Sequence, residues 1–310
     1  MGVDRGGTLP ARLRVARWVL RHWPLARGAD RAQEVLLRGV KAWPARGNVD
    51  FRFGLLMDVS LEAWPRGYRD LFLRGVMEES EVAVWSAVLR PGDDVVDGGA
   101  NQGYWSLVAA HRVGPGGRVF AFEPVPATAD ALARNVAASG YATVRVTRAA
   151  LAAEPGEVVM QWFDDDPVGN NSSVGSVAGL QVAGSTTAPA VTLDAFLAGE
   201  GARPVMVKLD VEGSETAALR GARALLAGEH PPVLCVEWNE TTARAAGTHP
   251  DEWMALLREA GYGFYLAGRE GRLQPFARAA DTADWVPMVW CIPGRGPLRE
   301  RVAHLLPPSA

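Results

Sequence analysis

Val95-Val96-Asp97-Gly98-Gly99-Ala100-Asn101-Gln102-Gly103 decides how this chain reads. An apolar strand runs into a turn of residues small enough for a ligand to approach the backbone, and Tyr104 to Arg112 then follows a helical pattern. The next strand, Arg118 to Glu123, ends in a carboxylate followed by Pro124, a position from which both hydroxyls of a ribose can be held. The Gly-x-Gly-x-x-Gly spacing of a dinucleotide site fails, because neither Gly98 nor Gly99 is followed by glycines at both later positions. Asp97 immediately before the turn suits instead a cofactor whose amino-acid tail brings an ammonium group, and S-adenosylmethionine has that tail.

Outward from this turn the chain alternates apolar runs with helical patterns, the sign of parallel βαβ units. Strands are expected at Asp94–Gly98, Arg118–Glu123, Thr143–Arg148, Val205–Asp210 and Val233–Trp238, and helices at Tyr104–Arg112, Ala127–Ser139, Ser214–Leu226 and Asp251–Ala260. Gly263–Ala267 and Val286–Ile292 have only a loop between them and are expected to pair as an antiparallel hairpin, completing a seven-stranded doubly wound α/β sheet. The long polar segment Asp164–Pro189 has no sustained apolar period and reads as a lid or a plain insertion.

Val205 to Gly213 carries the densest chemistry. Strand alternation sends Lys208 and Asp210, and Glu212 if the strand reaches it, to one face, with Val207, Leu209 and Val211 on the other. A central parallel strand is normally apolar on both faces, so these ionisable groups must pair or meet a ligand. They could form an ion pair that pins the following helix, or line a site at the strand's carboxyl end. The next strand repeats the theme with Glu237, Asn239 and Glu240. Of the five histidines, His249 alone falls near a strand-end loop, as a general base or a solvated side chain.

Asp97-Gly98-Gly99-Ala100-Asn101-Gln102-Gly103-Tyr104, Ala121-Phe122-Glu123-Pro124, Thr192-Leu193-Asp194, Lys208-Leu209-Asp210-Val211-Glu212-Gly213-Ser214-Glu215 and Glu237, in this order, closely resemble the FkbM family of S-adenosylmethionine-dependent methyltransferases. The resemblance covers about Asp70 to Trp238 and implies the Rossmann-like class I methyltransferase fold. It implies that Asp97, Gly99, Ala100, Asn101, Gly103, Glu123, Pro124 and Asp210 hold S-adenosylmethionine. The implied activity is methylation, usually of a hydroxyl on a sugar, polyketide or other natural product. Trp105 and Asn239 depart from the family pattern, the latter standing where a histidine often follows the strand-end glutamate. With the strand argument, Lys208, Asp210, Glu212 and Glu237 become the candidate catalytic residues, acting directly through a carboxylate base or by holding Mg²⁺. N-methylation of a small-molecule amine and non-catalytic cofactor binding are the alternatives.

The 310 residues carry a net charge of −3, which gives no case for a nucleic-acid partner; a small-molecule acceptor is expected. No apolar run is long enough to span a bilayer, no signal peptide is visible, and the expected location is the cytoplasm. Cys235 and Cys291 read as buried hydrophobes rather than a disulfide. Charge is uneven, however: residues 1–50 hold ten basic against four acidic side chains. Residues 1–78 form an amino-terminal extension, with helices expected at 9–23 and Ala29–Trp43 and short strands around Phe53–Leu61, ahead of a methyltransferase domain over 79–310 that begins with a helix from Glu79 to Leu89. Leu9, Leu13, Trp18, Leu20 and Trp23 interleave with Arg12, Arg14, Arg17 and Arg21 in the first helix. That helix is expected to pack on its own domain or on a second subunit, with an anionic membrane surface as the rival partner.

Overall fold

The computed structural model describes residues 11–22, 29–38, 46–50, 56–60, 65–163, 181–268, 271–277 and 285–308. They fall into two compact units that divide between Glu79 and Ser80. In the first, α1 (Ala11–His22) and α2 (Ala29–Leu37) precede an antiparallel ribbon of β1 (Arg46–Asp50) and β2 (Leu56–Ser60), and α3 (Pro65–Arg74) follows. Leu13, Ala16 and Leu20 are the buried stripe of α1, which packs on α2 and α3. Arg17 lies over the Phe72 ring at 4.3 Å, and Arg12 Nε donates to the Leu36 carbonyl at 3.1 Å. The second helix spans Ala29–Leu37; the part of its expected range from 39 to Trp43 lies outside the described residues, as do Trp23 and Phe53. Helix α3 was not expected. Pro65 fits its first turn, and Tyr68, Leu71 and Phe72, at helical spacing, are buried among arginines that blur the pattern.

The second unit runs α4 (Glu79–Val88), β3 (Asp94–Gly98), α5 (Tyr104–Val113), β4 (Arg118–Phe122), α6 (Pro126–Ser139), β5 (Val144–Thr147), β6 (Ala150–Leu151), β7 (Gly156–Phe163), β8 (Val182–Val191), α7 (Leu193–Glu200) and β9 (Pro204–Leu209). It continues through α8 (Glu215–Arg220), α9 (Arg223–Ala227), β10 (Val233–Asn239), α10 (Glu240–Ala245), α11 (Pro250–Glu259), β11 (Tyr262–Ala267), β12 (Leu273–Pro275), β13 (Trp285–Pro293) and α12 (Pro297–Arg301). The main sheet has the order β12-β11-β13-β10-β9-β3-β4-β5. Strands β5, β4, β3, β9 and β10 are mutually parallel, and β13 runs antiparallel between β10 and β11. The strand order reverses at β3, so its carboxyl end opens the crevice where doubly wound sheets bind ligands.

The expected antiparallel pairing of the last two long strands is present, with β13 inserted beside β10. The sheet nevertheless has eight strands rather than seven, because Leu273-Gln274-Pro275, too short to show a period, adds an edge strand to β11. A second correction concerns Asp164–Pro189, whose last part is β8, paired with β7 and β6 in a separate three-stranded sheet. Its alternation hides in small residues such as Ala188 and Ala190, which are buried while their neighbours are not. The stretch 164–180 of the proposed lid lies outside the described residues. The helix expected over Ser214–Leu226 is broken into α8 and α9 at Gly221, where a Cβ would come within 2.1 Å of the Ala152 carbonyl oxygen.

The core on one face of the sheet joins Val96, Phe120, Phe122, Leu209, Val236 and Trp238 to Trp253 and Leu257 of α11. Each such side chain, fully buried, contributes about 1.5–3 kcal/mol. Cys235 and Cys291 are buried and free, as expected. Among the described residues no helix is long and apolar enough to cross a membrane.

Candidate functional site

The turn after β3 is built around missing side chains. Gly99 has φ +70°, and a Cβ there would sit 1.8 Å from the Asp210 carbonyl oxygen, so the exits of β3 and β9 touch backbone to backbone. Gly103 has φ +102°, and its missing Cβ leaves room for Leu132 of α6. Asn101 takes positive φ as well and accepts Gln102 N–H through Oδ1 at 2.8 Å. Asn135 Nδ2 donates to the Gln102 carbonyl at 2.8 Å, tying the turn to α6. Ala100 N–H donates to the Phe122 carbonyl at 2.9 Å, which joins the turn to the tip of β4.

Glu123 stands at that tip. It is 6% exposed, and its two oxygens accept N–H groups from Asn101 and Val125, each at 3.0 Å. Burial raises its pKa to about 7, against the opposing pull of those two N–H groups and of Lys208. Each oxygen keeps acceptor capacity, so the pair of acceptors fits a ligand that donates from paired hydroxyls. Pro124 lies next to Glu123, between β4 and α6.

Lys208 is the hub of the site. Its ammonium group, 1% exposed, donates to the carbonyls of Gly98 at 3.2 Å and Gly99 at 3.1 Å, and pairs with Asp97 and Asp210, each at 3.3 Å. Burial would lower its pKa, yet Asp210 and Asp97 outweigh burial and hold it above the usual lysine range. Asp97 is fully buried, and its other oxygen accepts from Ser106 Oγ at 2.6 Å. Asp210 is about a third exposed and thereby open to a ligand. Ser106 and Asn135, both hidden on helical patterns, are the supports that the sequence reading missed.

Asp210, Glu212 and Glu237 come together: one ligand oxygen from each lies within 4.8 Å of the others. Glu212 does not arrive by extension of the strand. Strand β9 ends at Leu209, and Glu212 reaches the cluster from a tight turn in which it holds φ +50°. Glu215 secures that turn by accepting Val211 N–H at 3.0 Å and Gly213 N–H at 3.3 Å, and burial raises its pKa to about 7. Several other motif residues have structural roles. Asn239 caps α10 through Thr241 and Thr242 N–H, and His249 caps α11 through Asp251 N–H while its Nε2 lies 3.5 Å from Glu240. Asp194 accepts the N–H groups of Ala224 and Leu225 at the start of α9.

A family model described as the methyltransferase FkbM domain matches residues 97–264. Hexuronic acid methyltransferase AglP of Haloferax volcanii is 29% identical over 197 residues, 63% of this chain and 70% of that protein. A protein-L-isoaspartate O-methyltransferase of Aeropyrum pernix is 34% identical over 140 residues, 38% of this chain and 52% of that protein; the chain therefore spans about half the length of this relative. The crystal structure of methyltransferase FkbM from Methylobacillus flagellatus KT aligns over 90% of this chain and 59% of that one, with 16% identity and a TM-score of 0.42.

Proposed function

Because the chain belongs to the FkbM family of S-adenosylmethionine-dependent methyltransferases, we propose that it methylates a hydroxyl of a small natural product, of the sugar or polyketide type. The observation that carries this reading is the convergence of Asp210, Glu212 and Glu237 beside the glycine turn. Bound S-adenosylmethionine supplies an electrophilic methyl group on a sulfonium. The chain's work is to align the acceptor oxygen with that methyl and to take the hydroxyl proton. Glu123 holds the ribose hydroxyls, Asp210 receives the cofactor's ammonium group in place of Asp97, which is fully buried against Lys208 and Ser106, and Glu237 or Glu212 accepts the proton. Lys208 already neutralises part of the carboxylate charge, which favours a direct carboxylate base over a Mg²⁺ site on the same three residues. The name of the Haloferax relative supports a sugar acid as the first acceptor to try.

Glu237→Gln is expected to lower kcat about a hundredfold, the lower end of what a general base contributes, while leaving affinity for S-adenosylhomocysteine unchanged. Transfer of labelled methyl to hexuronic acid acceptors, run with and without a chelator, measures both points. Full turnover by the variant sinks the base assignment, and activity that collapses in chelator and returns with Mg²⁺ sinks the metal-free reading.

Cofactor affinity is also expected to depend on pH through Glu123. Its carboxylate accepts from ribose hydroxyls best when ionised, so affinity rises as pH increases through about 7 and binding releases protons. For the unliganded fold the sign is opposite: a carboxyl raised from 4.5 to about 7 adds stability fully below 4.5 and loses it as pH rises through 7. Calorimetry in buffers of different ionisation heat counts the protons. Glu123→Ala should weaken binding by about 1.5–3 kcal/mol and remove the pH dependence; proton uptake by the unaltered protein contradicts the assignment.

A further inference from the structure

Helix α1 buries one apolar face and leaves apolar side chains of another exposed. Leu13, Ala16 and Leu20 are spent inside the first unit. On the opposite side, Val15, Trp18 and Val19 follow the i, i+3, i+4 spacing that places residues on one helical face. Trp18 is 66% exposed and Val15 55% exposed, and in α2 Val35 is 57% exposed. The Trp18 ring meets only its own helix among the ring contacts described, at 5.0 Å from His22. Arg14 is exposed beside this stripe, and α1 carries four arginines with no acidic residue.

We propose that this face of α1 seats on an anionic lipid surface, with Trp18 and Val15 entering the headgroup boundary and Arg14 meeting lipid phosphates. An exposed tryptophan with Val15 and half-buried Val19 on its face and Arg14 beside it is suited to that boundary, where one side is apolar and the other wet. Charge selects the partner. Residues 1–50 hold ten basic and four acidic side chains although the whole chain is net negative, so attraction to an anionic surface is confined to this end of the sequence. A second α1 is a poorer occupant, because it would oppose arginine to arginine with no carboxylate on either helix. The inference does not depend on the identity of the methyl acceptor.

Sedimentation of the full-length protein with phosphatidylcholine vesicles, with and without phosphatidylglycerol, tests the proposal. Partitioning is expected to rise about tenfold with the anionic lipid, the scale of one or two arginines near a charged surface, and to fall in high salt. Val15→Ser with Trp18→Ser, and separately Arg14→Glu, should each abolish the gain while the melting temperature and S-adenosylhomocysteine binding stay unchanged, since all three side chains are exposed. Equal partitioning into neutral and anionic vesicles, or retained binding by the Val15 and Trp18 variant, overturns the proposal. So does a wild-type dimer that binds no vesicle and dissociates when Trp18 is replaced, which would make this face a contact between copies.

Discussion

Replacing Lys208 by methionine is expected to destabilise the protein by about 3–5 kcal/mol, the cost of removing one member of a buried ion pair, and to abolish cofactor binding. The long side chain of methionine fills most of the space, so the loss is electrostatic rather than a cavity effect. Without the ammonium group, Asp97 keeps its carboxylate at zero exposure with Ser106 as the one hydrogen-bonding side chain described, and the carbonyls of Gly98 and Gly99 lose a donor. Urea unfolding of Lys208→Met gives the stability, and calorimetry with S-adenosylhomocysteine gives the binding. Adding Asp97→Asn removes the orphaned charge, so the double variant should recover part of the stability but none of the binding. A loss under about 1 kcal/mol in Lys208→Met would contradict the hub role.

Gly99→Ala is expected to be nearly as severe. Its new methyl would lie 1.8 Å from the Asp210 carbonyl oxygen, a backbone atom that cannot rotate away, and the φ of +70° is itself unfavourable for alanine. The turn must open, pulling Asp210 and Asn101 out of register, so we expect a loss of more than about 3 kcal/mol, beyond the roughly 1–2 kcal/mol that left-handed backbone costs an L-residue, together with undetectable cofactor binding. Gly140→Ala supplies the comparison. Gly140 has nearly the same φ, +72°, with nothing within 4 Å of the added methyl, and should lose only the backbone cost and keep full affinity. Equal losses in the two variants would mean that the contact between the strand exits is not what requires glycine at 99.

Much of the site was legible because its residues announce themselves locally. The glycine turn after β3, Glu123 at the tip of β4, and Lys208 and Asp210 on β9 each stand at a place where a strand pattern ends in residues that a packed sheet would otherwise exclude. Strand alternation correctly put Lys208 and Asp210 together, and they pair at 3.3 Å. Its condition for Glu212, that the strand reach so far, is not met: the chain leaves strand geometry after Leu209, and the clustering comes from a turn held by Glu215. Asn239, a departure from the family pattern, and His249, left open between general base and solvated side chain, are helix caps, since the same polar side chains that bind ligands also satisfy the free N–H groups of a helix start.

The sequence by itself determined the alternation of strands and helices, the crevice at the carboxyl end of β3 and the carboxylates that line it, because side-chain direction within one element is fixed by its period of 2 or 3.6 residues. Only the tertiary structure decided that Lys208 reaches across to Asp97, that Ser106 and Asn135 brace the turn, that β12 adds an eighth strand, and that α1 leaves Trp18 uncovered. Asp97 and Lys208 meet because β3 and β9 are paired in register, Asp97 opposite Lys208. That register is set by the packing of the whole sheet, and no local pattern records which distant strand will be the neighbour.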